Sequence, residues 1–570
     1  MPPQTMETGT RPWLRAYPPG VRWDASFPEE PVTRTLEASV ERYPDRPCLD
    51  FLGKRYTYRE VGELGRRAAK GFAALGVRAG VRVGLMLPNC PYYVIAYYGV
   101  LAAGGTVVNI NPLYAERELR HLVGDAGCGI VVTLDLKLTC DVLAKLHDDH
   151  PLKTLVVCPM AAILPFPKNL LYRAFKRGDT ATIPSGKHCV RFAELVDNDG
   201  AMPPVAIDAR RDVAVLQYTG GTTGLPKGAM LSHANLVANM RQCLAWFPSF
   251  RPGEERALAV LPFFHVFAMT VVMNLSLAVG AEIILMPRFS LRDLLRTIHR
   301  RKPTTFPGVP TLFTAINNAK DLRRYNLRSI RSCISGGAPL PVEVKAQFEA
   351  LTGCVLVEGY GLSEASPVIA CNPLEGVNKP GSVGLPLPGT EVEIVSLEDP
   401  DRVLPVGERG EVVARGPQVM LGYWGKPEAT ADVLRRGRLR TGDVGFLDAD
   451  GYLFLVDRIK DVVIAGGYKI YPRIVEEAIY QHPKVHECIV LGLPDPYRGQ
   501  TVKAYVVVRE GERLGEEELV AFLRERLSAI EMPKLIEFRA SLPKTLIGKA
   551  SKQALLEEEA ARAAGRHLPD

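Results

Sequence analysis

The sequence has no C-x-x-C pair, and none of its eleven cysteines has a histidine nearby at metal-ligand spacing. That speaks against a zinc ribbon or a dithiol redox motif and suits incidental thiols in a reducing compartment. The opening MPPQTMETGTRPWLRAYPPG lacks the apolar core of a signal peptide, and the closing RHLPD matches neither a peroxisomal nor a lipidation signal. A cytoplasmic location is the expectation. There is no long basic run and no interleaving of basic and aromatic residues, so a net charge of +7 does not point to nucleic acid. Small anionic substrates suit it as well. No internal repeat is visible, which argues against a solenoid or a propeller. Charge is missing from residues 257 to 281, ALAVLPFFHVFAMTVVMNLSLAVGA, a run long enough for a membrane span. Pro262, His265 and Asn274 interrupt it, however, and nothing else resembles a second span. A buried strand, a loop and a core helix are predicted instead.

What the chain does have is length and alternation. Its 570 residues exceed one hydrophobic core, so at least two domains are expected. Short apolar runs such as RVGLMLP, GIVVTLD, TLVVCP, DVAVLQYT, AEIILMP and CVLVEGYG read as strands. ERELRHLVGDAG and PVEVKAQFEALTG carry apolar residues at helical spacing. This alternation predicts an α/β fold with parallel-rich subdomains. Near residue 457 the character changes: DRIKDVVIAGGYKIYP is followed by helix-like RIVEEAIYQHP, two strands, EEELVAFLRERLSAI, another strand and an acidic helix. The predicted organisation is a large domain over 1–456, a hinge over 457–461 and a small α+β domain over 462–570.

One stretch carries chemistry. YTGGTTGLPKGAMLSH (218–233) is rich in Gly and Thr with one Lys, yet it lacks the Gly-Lys-Ser/Thr ending of a Walker loop. It follows DVAVLQYT and precedes helix-like ANLVANMRQCLAW, so it reads as a strand-to-helix turn. Glycines let backbone amides approach a phosphate chain. The hydroxyls of Thr219, Thr222 and Thr223 can donate to it, and Lys227 adds a cation.

The order of residues in this loop resembles the hallmark of the AMP-forming acyl-adenylate synthetase superfamily. Further motifs follow in that superfamily's order: LPFFHVF (261–267), SGGAPL (335–340), EGYGLSEASP (358–367), GYWGKPEAT (422–430), RTGDVG (440–445), DRIKDVVIAGGYKIYP (457–472) and LPKTLIGK (542–549). The resemblance spans nearly the whole chain. It implies that the loop, with Gly220, Gly221 and Gly224, holds pyrophosphate as a leaving group while a carboxylate attacks the α-phosphorus. It gives Tyr360 to adenine and Glu364 to Mg²⁺, with Thr219 also near the metal. Gly336, Gly337 and Ala338 become a wall beside adenine and the acyl group. Glu358, Gly359, Gly361 and Ser363 complete the nucleotide site, Ser363 standing where the family usually has Thr. Asp443 is implied at the ribose hydroxyls, with Arg458 as its companion. His265 would lie near the carboxylate, although a lone His in an apolar run also reads as a satisfied core residue.

Lys549 is implied as the catalytic lysine that meets the attacking carboxylate and the α-phosphate. ASKQALL after it departs from the family's usual apolar-then-basic continuation. Lys460 falls on the implied pivot of a mobile small domain. Its rotation would withdraw Lys549 and bring Gly466, Gly467 and Lys469 to the passage for CoA. The co-substrates implied are ATP and CoA.

Within the superfamily, the TGGTTG variant, FFHVFAMT and RTGDVGFLDADGYLFLVDRIKD resemble bacterial long-chain fatty-acid:CoA ligases. The apolar stretch from Phe263 to Leu277 suits an acyl tunnel. No carrier-protein segment follows the last motif, so free CoA is the expected acceptor. A medium-chain or aryl acid:CoA ligase and a free-standing enzyme that loads a carrier protein stay open. A non-catalytic protein on this scaffold should have lost Lys549 or Glu364, and both are present. LPFPKNLLYRAFKRG (164–178) has Leu170, Leu171, Ala174 and Phe175 on one side, with Lys168, Arg173, Lys176 and Arg177 around it. This suits a shallow contact with the inner face of a membrane, and equally an ordinary surface helix. A homodimer stays open.

Overall fold

The computed structural model describes residues 11–146, 152–181, 189–219, 226–465, 468–544 and 551–563. Among these, the apolar runs assemble into two large sheets. The first has eight strands in the order Gly422–Tyr423, Lys227–Ser232, Val213–Thr219, Thr106–Asn109, Arg82–Met86, Ile130–Leu134, Thr154–Cys158 and Cys189–Arg191. From Val213–Thr219 to Cys189–Arg191 every neighbour is parallel. The second has nine strands, with a parallel centre from Val355–Gly361 to Pro47–Phe51 and antiparallel strands at both edges. Ile130–Leu134 and Glu282–Leu285 are buried at every residue. Parallel strands covered on both faces are apolar throughout rather than alternating, which is why these runs were readable.

Two of the longer helices begin at reciprocal side-chain caps. Thr57 Oγ1 accepts from the Glu60 amide at 3.2 Å while Glu60 Oε2 accepts from the Thr57 amide at 2.7 Å, opening Tyr58–Ala74. Ser232 and Asn235 make the same reciprocal pair for His233–Trp246. Pro91–Ala102, apolar all round, is buried along nearly its whole length. One continuous cluster of buried side chains runs from Leu85 and Val107 of the first sheet to Phe306 and Leu356 of the second.

The uncharged stretch resolves as expected. Strand Arg256–Ala259 leads through a half-buried turn to a buried π-helical segment, Ala268–Asn274, which continues as the helix Leu275–Ala278. Among the described residues no helix is long and apolar enough to cross a membrane.

Two smaller sheets complete the chain. An antiparallel sheet, which periodicity does not announce, contains Glu391–Val395, Gly410–Arg415, Arg438–Leu447, Leu434–Arg435 and Leu453–Arg458. The C-terminal sheet contains Tyr468–Ile470, Val463–Ala465, Gly499–Val508, Val485–Asp495 and Leu535–Arg539. Val463, Val475, Val490, Val502 and Leu519 form a core of its own beneath it. A small domain with its own core can move as a body.

Candidate active site

The Gly-Thr loop is not a strand-to-helix turn. Val213–Thr219 and Lys227–Ser232 are antiparallel neighbours with Thr219 opposite Lys227, so the loop closes a hairpin, and the helix starts only at His233. Gly220, Gly221, Thr222, Thr223 and Gly224 lie outside the described residues, as do Gly466, Gly467 and Lys549. The flanks are informative. The hairpin accepts Gly422–Tyr423 as a third antiparallel strand, which sets Tyr423 opposite Ala229. From there the Tyr423 hydroxyl donates to Glu364 Oε1 at 2.7 Å. The Lys227 ammonium lies 5.3 Å from the centre of the same ring. Tyr423 thus joins the loop lysine to the acidic residue. Sequence reading quoted its motif but gave it no role.

Glu364 sits in a short 3₁₀ turn, Ser363–Ala365, that packs against both hairpin strands. Its carbonyl accepts from the Met420 amide at 2.8 Å. Among the described residues there is no cluster of three or more His, Cys, Asp or Glu able to hold a metal. One oriented carboxylate in the cleft that Thr219 also borders fits Mg²⁺, which commonly takes one or two carboxylates and finds its other ligands in substrate phosphates and water.

At the other end, the Tyr360 hydroxyl donates to Asp443 Oδ2 at 2.6 Å, and Arg458 Nε lies 3.3 Å from Asp443 Oδ1. Asp443 and Arg458 face each other across neighbouring strands of the antiparallel sheet. Burial pushes the Asp443 carboxyl upward against the pull of Arg458 and the Tyr360 hydrogen bond, and burial also drives the Tyr360 hydroxyl well up. Tyr360 therefore stays a neutral donor. Gly361 allows the chain to pass here, since a Cβ would meet the Pro367 carbonyl oxygen at 2.1 Å. Gly337 adopts a φ of 82°, in the left-handed region.

These groups share one cleft of about 2400 Å³, lined by both large sheets, the antiparallel sheet and the small domain. Thr219, Lys227, His265, Gly336, Gly337, Ala338, Gly359, Tyr360, Gly361, Ser363, Glu364, Asp443, Arg458 and Lys460 all border it. His265 Nδ1 accepts from the Phe267 amide at 3.3 Å. Its turn is held by a buried polar chain. The Tyr93 hydroxyl donates to the Phe263 carbonyl, Gln217 Nε2 to the Phe264 carbonyl, and Asn109 Nδ2 to Gln217 Oε1.

Two residues stand elsewhere. Glu358 does not border the cleft. Its carboxyl is buried, accepts from the Leu340 amide at 3.2 Å and is pushed up to about 7 by burial, with Arg473 of the small domain opposing. Lys469 lies 4.0 Å from Glu398, away from the cleft.

The AMP-binding enzyme model matches residues 36–424, and the AMP-binding enzyme C-terminal domain model matches 474–549. The chain belongs to the AMP-binding enzyme family. This AMP-binding enzyme is 45% identical over 556 residues to a long-chain-fatty-acid--CoA ligase of Bacillus subtilis, covering 96% of this chain and 98% of that one. It is 36% identical over 510 residues to a feruloyl-CoA synthase of an Amycolatopsis species, covering 89% and 95%. Among solved structures, ATP-bound MatB from Rhodopseudomonas palustris superposes with a TM-score of 0.81 at 28% identity, covering 94% and 100%. For an AMP-binding enzyme, a cleft with Asp443 and Arg458 at one end and Lys227 and Glu364, joined through Tyr423, at the other is suited to acyl-adenylate formation.

Proposed function

We propose that this enzyme activates a long-chain fatty acid with ATP to acyl-AMP and pyrophosphate, then transfers the acyl group to CoA. In the first step a carboxylate oxygen forms a bond to the α-phosphorus as the bond to the pyrophosphate oxygen breaks. In the second the CoA sulfur, having given up its proton, attacks the acyl carbonyl carbon, and the C–O bond to AMP breaks. Tyr360, Asp443 and Arg458 hold the nucleoside end. Lys227 and the loop hydroxyls stabilise charge on the leaving oxygens. Mg²⁺, held by Glu364 and near Thr219, would neutralise phosphate charge. Lys549 supplies the cation between carboxylate and α-phosphate.

The observation that carries the chain-length reading is the apolar part of the cleft's lining. Besides His265 and Gly336, the cleft is bordered by Phe267, Val271, Val309 and Ile334, side chains that belong to or pack on the hydrophobic core. An aryl or medium-chain acid would fill less of it. A panel of acids from C4 to C18 with aryl acids, assayed for AMP and pyrophosphate with and without CoA, tests both steps. Long chains giving the highest kcat/KM with CoA supports the reading. ADP as product would sink the chemistry, and a preference for aryl acids would replace the substrate. Product on a holo-carrier protein with little on CoA would replace the acceptor.

The helix Lys168–Phe175 supports a peripheral membrane contact. None of its residues is buried, and Phe166 and Phe175 are 79% and 80% exposed, with Leu170 and Leu171 about half exposed. Lys54 Nζ donates to the Ala162 carbonyl and Lys168 Nζ to the Leu52 carbonyl, so Lys54 joins Lys168 beside the apolar patch. An anionic bilayer complements such a face and would concentrate the lipid substrate at the enzyme.

A further inference from the structure

The cations that follow Lys549 have no role in the mechanism above, yet Lys552 meets the hinge. Asp457 lies in strand Leu453–Arg458 opposite Val444, so its backbone is part of the antiparallel sheet of the large domain. Its carboxylate is held from the other side. Oδ2 accepts from the Arg473 amide at 2.9 Å, at the start of the small domain's helix Pro472–Tyr480. Oδ1 accepts from the Arg458 amide at 2.8 Å and lies 3.9 Å from Lys552 Nζ. Lys552 also faces Asp461 Oδ2 at 3.6 Å and Glu476 Oε1 at 3.8 Å. Three carboxylates therefore gather around one ammonium.

Lys552 cannot adjust independently of the small domain. It opens the helix Lys552–Ala563, which is fixed to the C-terminal sheet by Lys503–Glu559 at 2.9 Å, by Arg539–Glu558 at 2.6 Å and by the fully buried Leu555. Asp461 and Glu476 lie beyond the pivot as well. A rotation about Lys460 would carry Lys552, Asp461, Glu476 and the Arg473 amide together and leave Asp457 behind. Lys552 stands three residues after Lys549, so the link ties the hinge to the segment implied in adenylation.

We infer that Lys552, through Asp457, is a positioning residue that holds the small domain in the observed orientation, and that the domain rotation must part this pair. The inference rests on the two-step reading. Pyrophosphate exchange reads the first half-reaction, and thioester formation from preformed acyl-adenylate and CoA reads the second. Lys552→Met and Asp457→Asn should each change the ratio of the two rates in the same direction, by about tenfold for a coupled pair. The double variant should go no further, and Lys552→Arg should restore the normal ratio. Spin labels on Lys302→Cys and Glu512→Cys, one exposed on each domain, should show a single main distance in the parent protein and a second population in both single variants. An unchanged ratio with unchanged distances overturns the inference. So do effects that simply add in the double variant, or both rates falling together with distances unchanged. If the parent protein lacks both half-reactions, the ligase reading fails, while the label distances still decide the pairing.

Discussion

At the scale of single residues, the end of the cleft proposed to bind phosphate is expected to depend on a phenol. Tyr423→Phe keeps the ring beneath Lys227 and removes only the hydroxyl that orients Glu364. A hydrogen bond to a charged group predicts a fall in kcat/KM for pyrophosphate exchange of about tenfold, with an unchanged melting temperature. Glu364→Ala should lose about 100-fold or more, the scale of one transition-state contact. Equal activities for Tyr423→Phe and the parent would show that Glu364 needs no such support. Glu358 makes a separate prediction about pH. Burial raises its folded-state pKa to about 7 from an ordinary 4.5. A carboxyl raised in this way favours folding fully below its unfolded value, and that contribution is lost as pH rises through the folded one. Glu358→Gln cannot ionise, so its melting temperature relative to the parent should climb between pH 4.5 and pH 7 and then level off. Thermal melts across this window would check it, and a constant difference would refute it.

At the scale of elements, Lys168–Phe175 makes the sharpest claim. Amphipathic spacing alone could not separate a membrane-facing helix from one packed on the core. The exposed Leu170, Leu171 and Phe175 favour the first. Leu170→Ser with Phe175→Ser should cut co-sedimentation with vesicles containing anionic phosphatidylglycerol several-fold and leave turnover of a soluble medium-chain acid unchanged. No buried contact is removed, so the melting temperature should hold. Undiminished co-sedimentation would return the helix to an ordinary surface role. The hairpin Val213–Ser232 shows the opposite limit. GAMLS reads poorly as a strand because Gly and Ala have low strand propensity, yet pairing on both sides fixes it.

At the scale of the whole molecule, the two half-reactions should separate. On the proposed roles, Lys549 and the loop it would serve lie far apart in the chain, so adenylation would need one domain orientation and thioester formation another. Lys549→Ala should abolish pyrophosphate exchange while keeping much of the thioester-forming rate from preformed acyl-adenylate and CoA. Stopped-flow assays of each step would show it. Equal damage to both steps in a folded protein would end the two-orientation account. The orientation in which Asp457 meets Lys552 has its own side-chain support, and on the inference drawn above this pair contributes to the domain balance.

The sequence by itself determined what is local. Buried parallel strands read as unbroken apolar runs, amphipathic helices as apolar residues at helical spacing, and the ordered motifs pointed to the chemistry, because each depends on neighbours within a few residues. Only the tertiary structure decided which distant groups meet. Tyr423 reaches Glu364 across 59 positions and Asp457 faces Lys552 across the hinge. Glu358, which the resemblance implied for the nucleotide site, is buried, accepts from the Leu340 amide and feels the charge of Arg473. Burial and charge pairing arise when separate elements pack, and residue spacing along the chain does not record them.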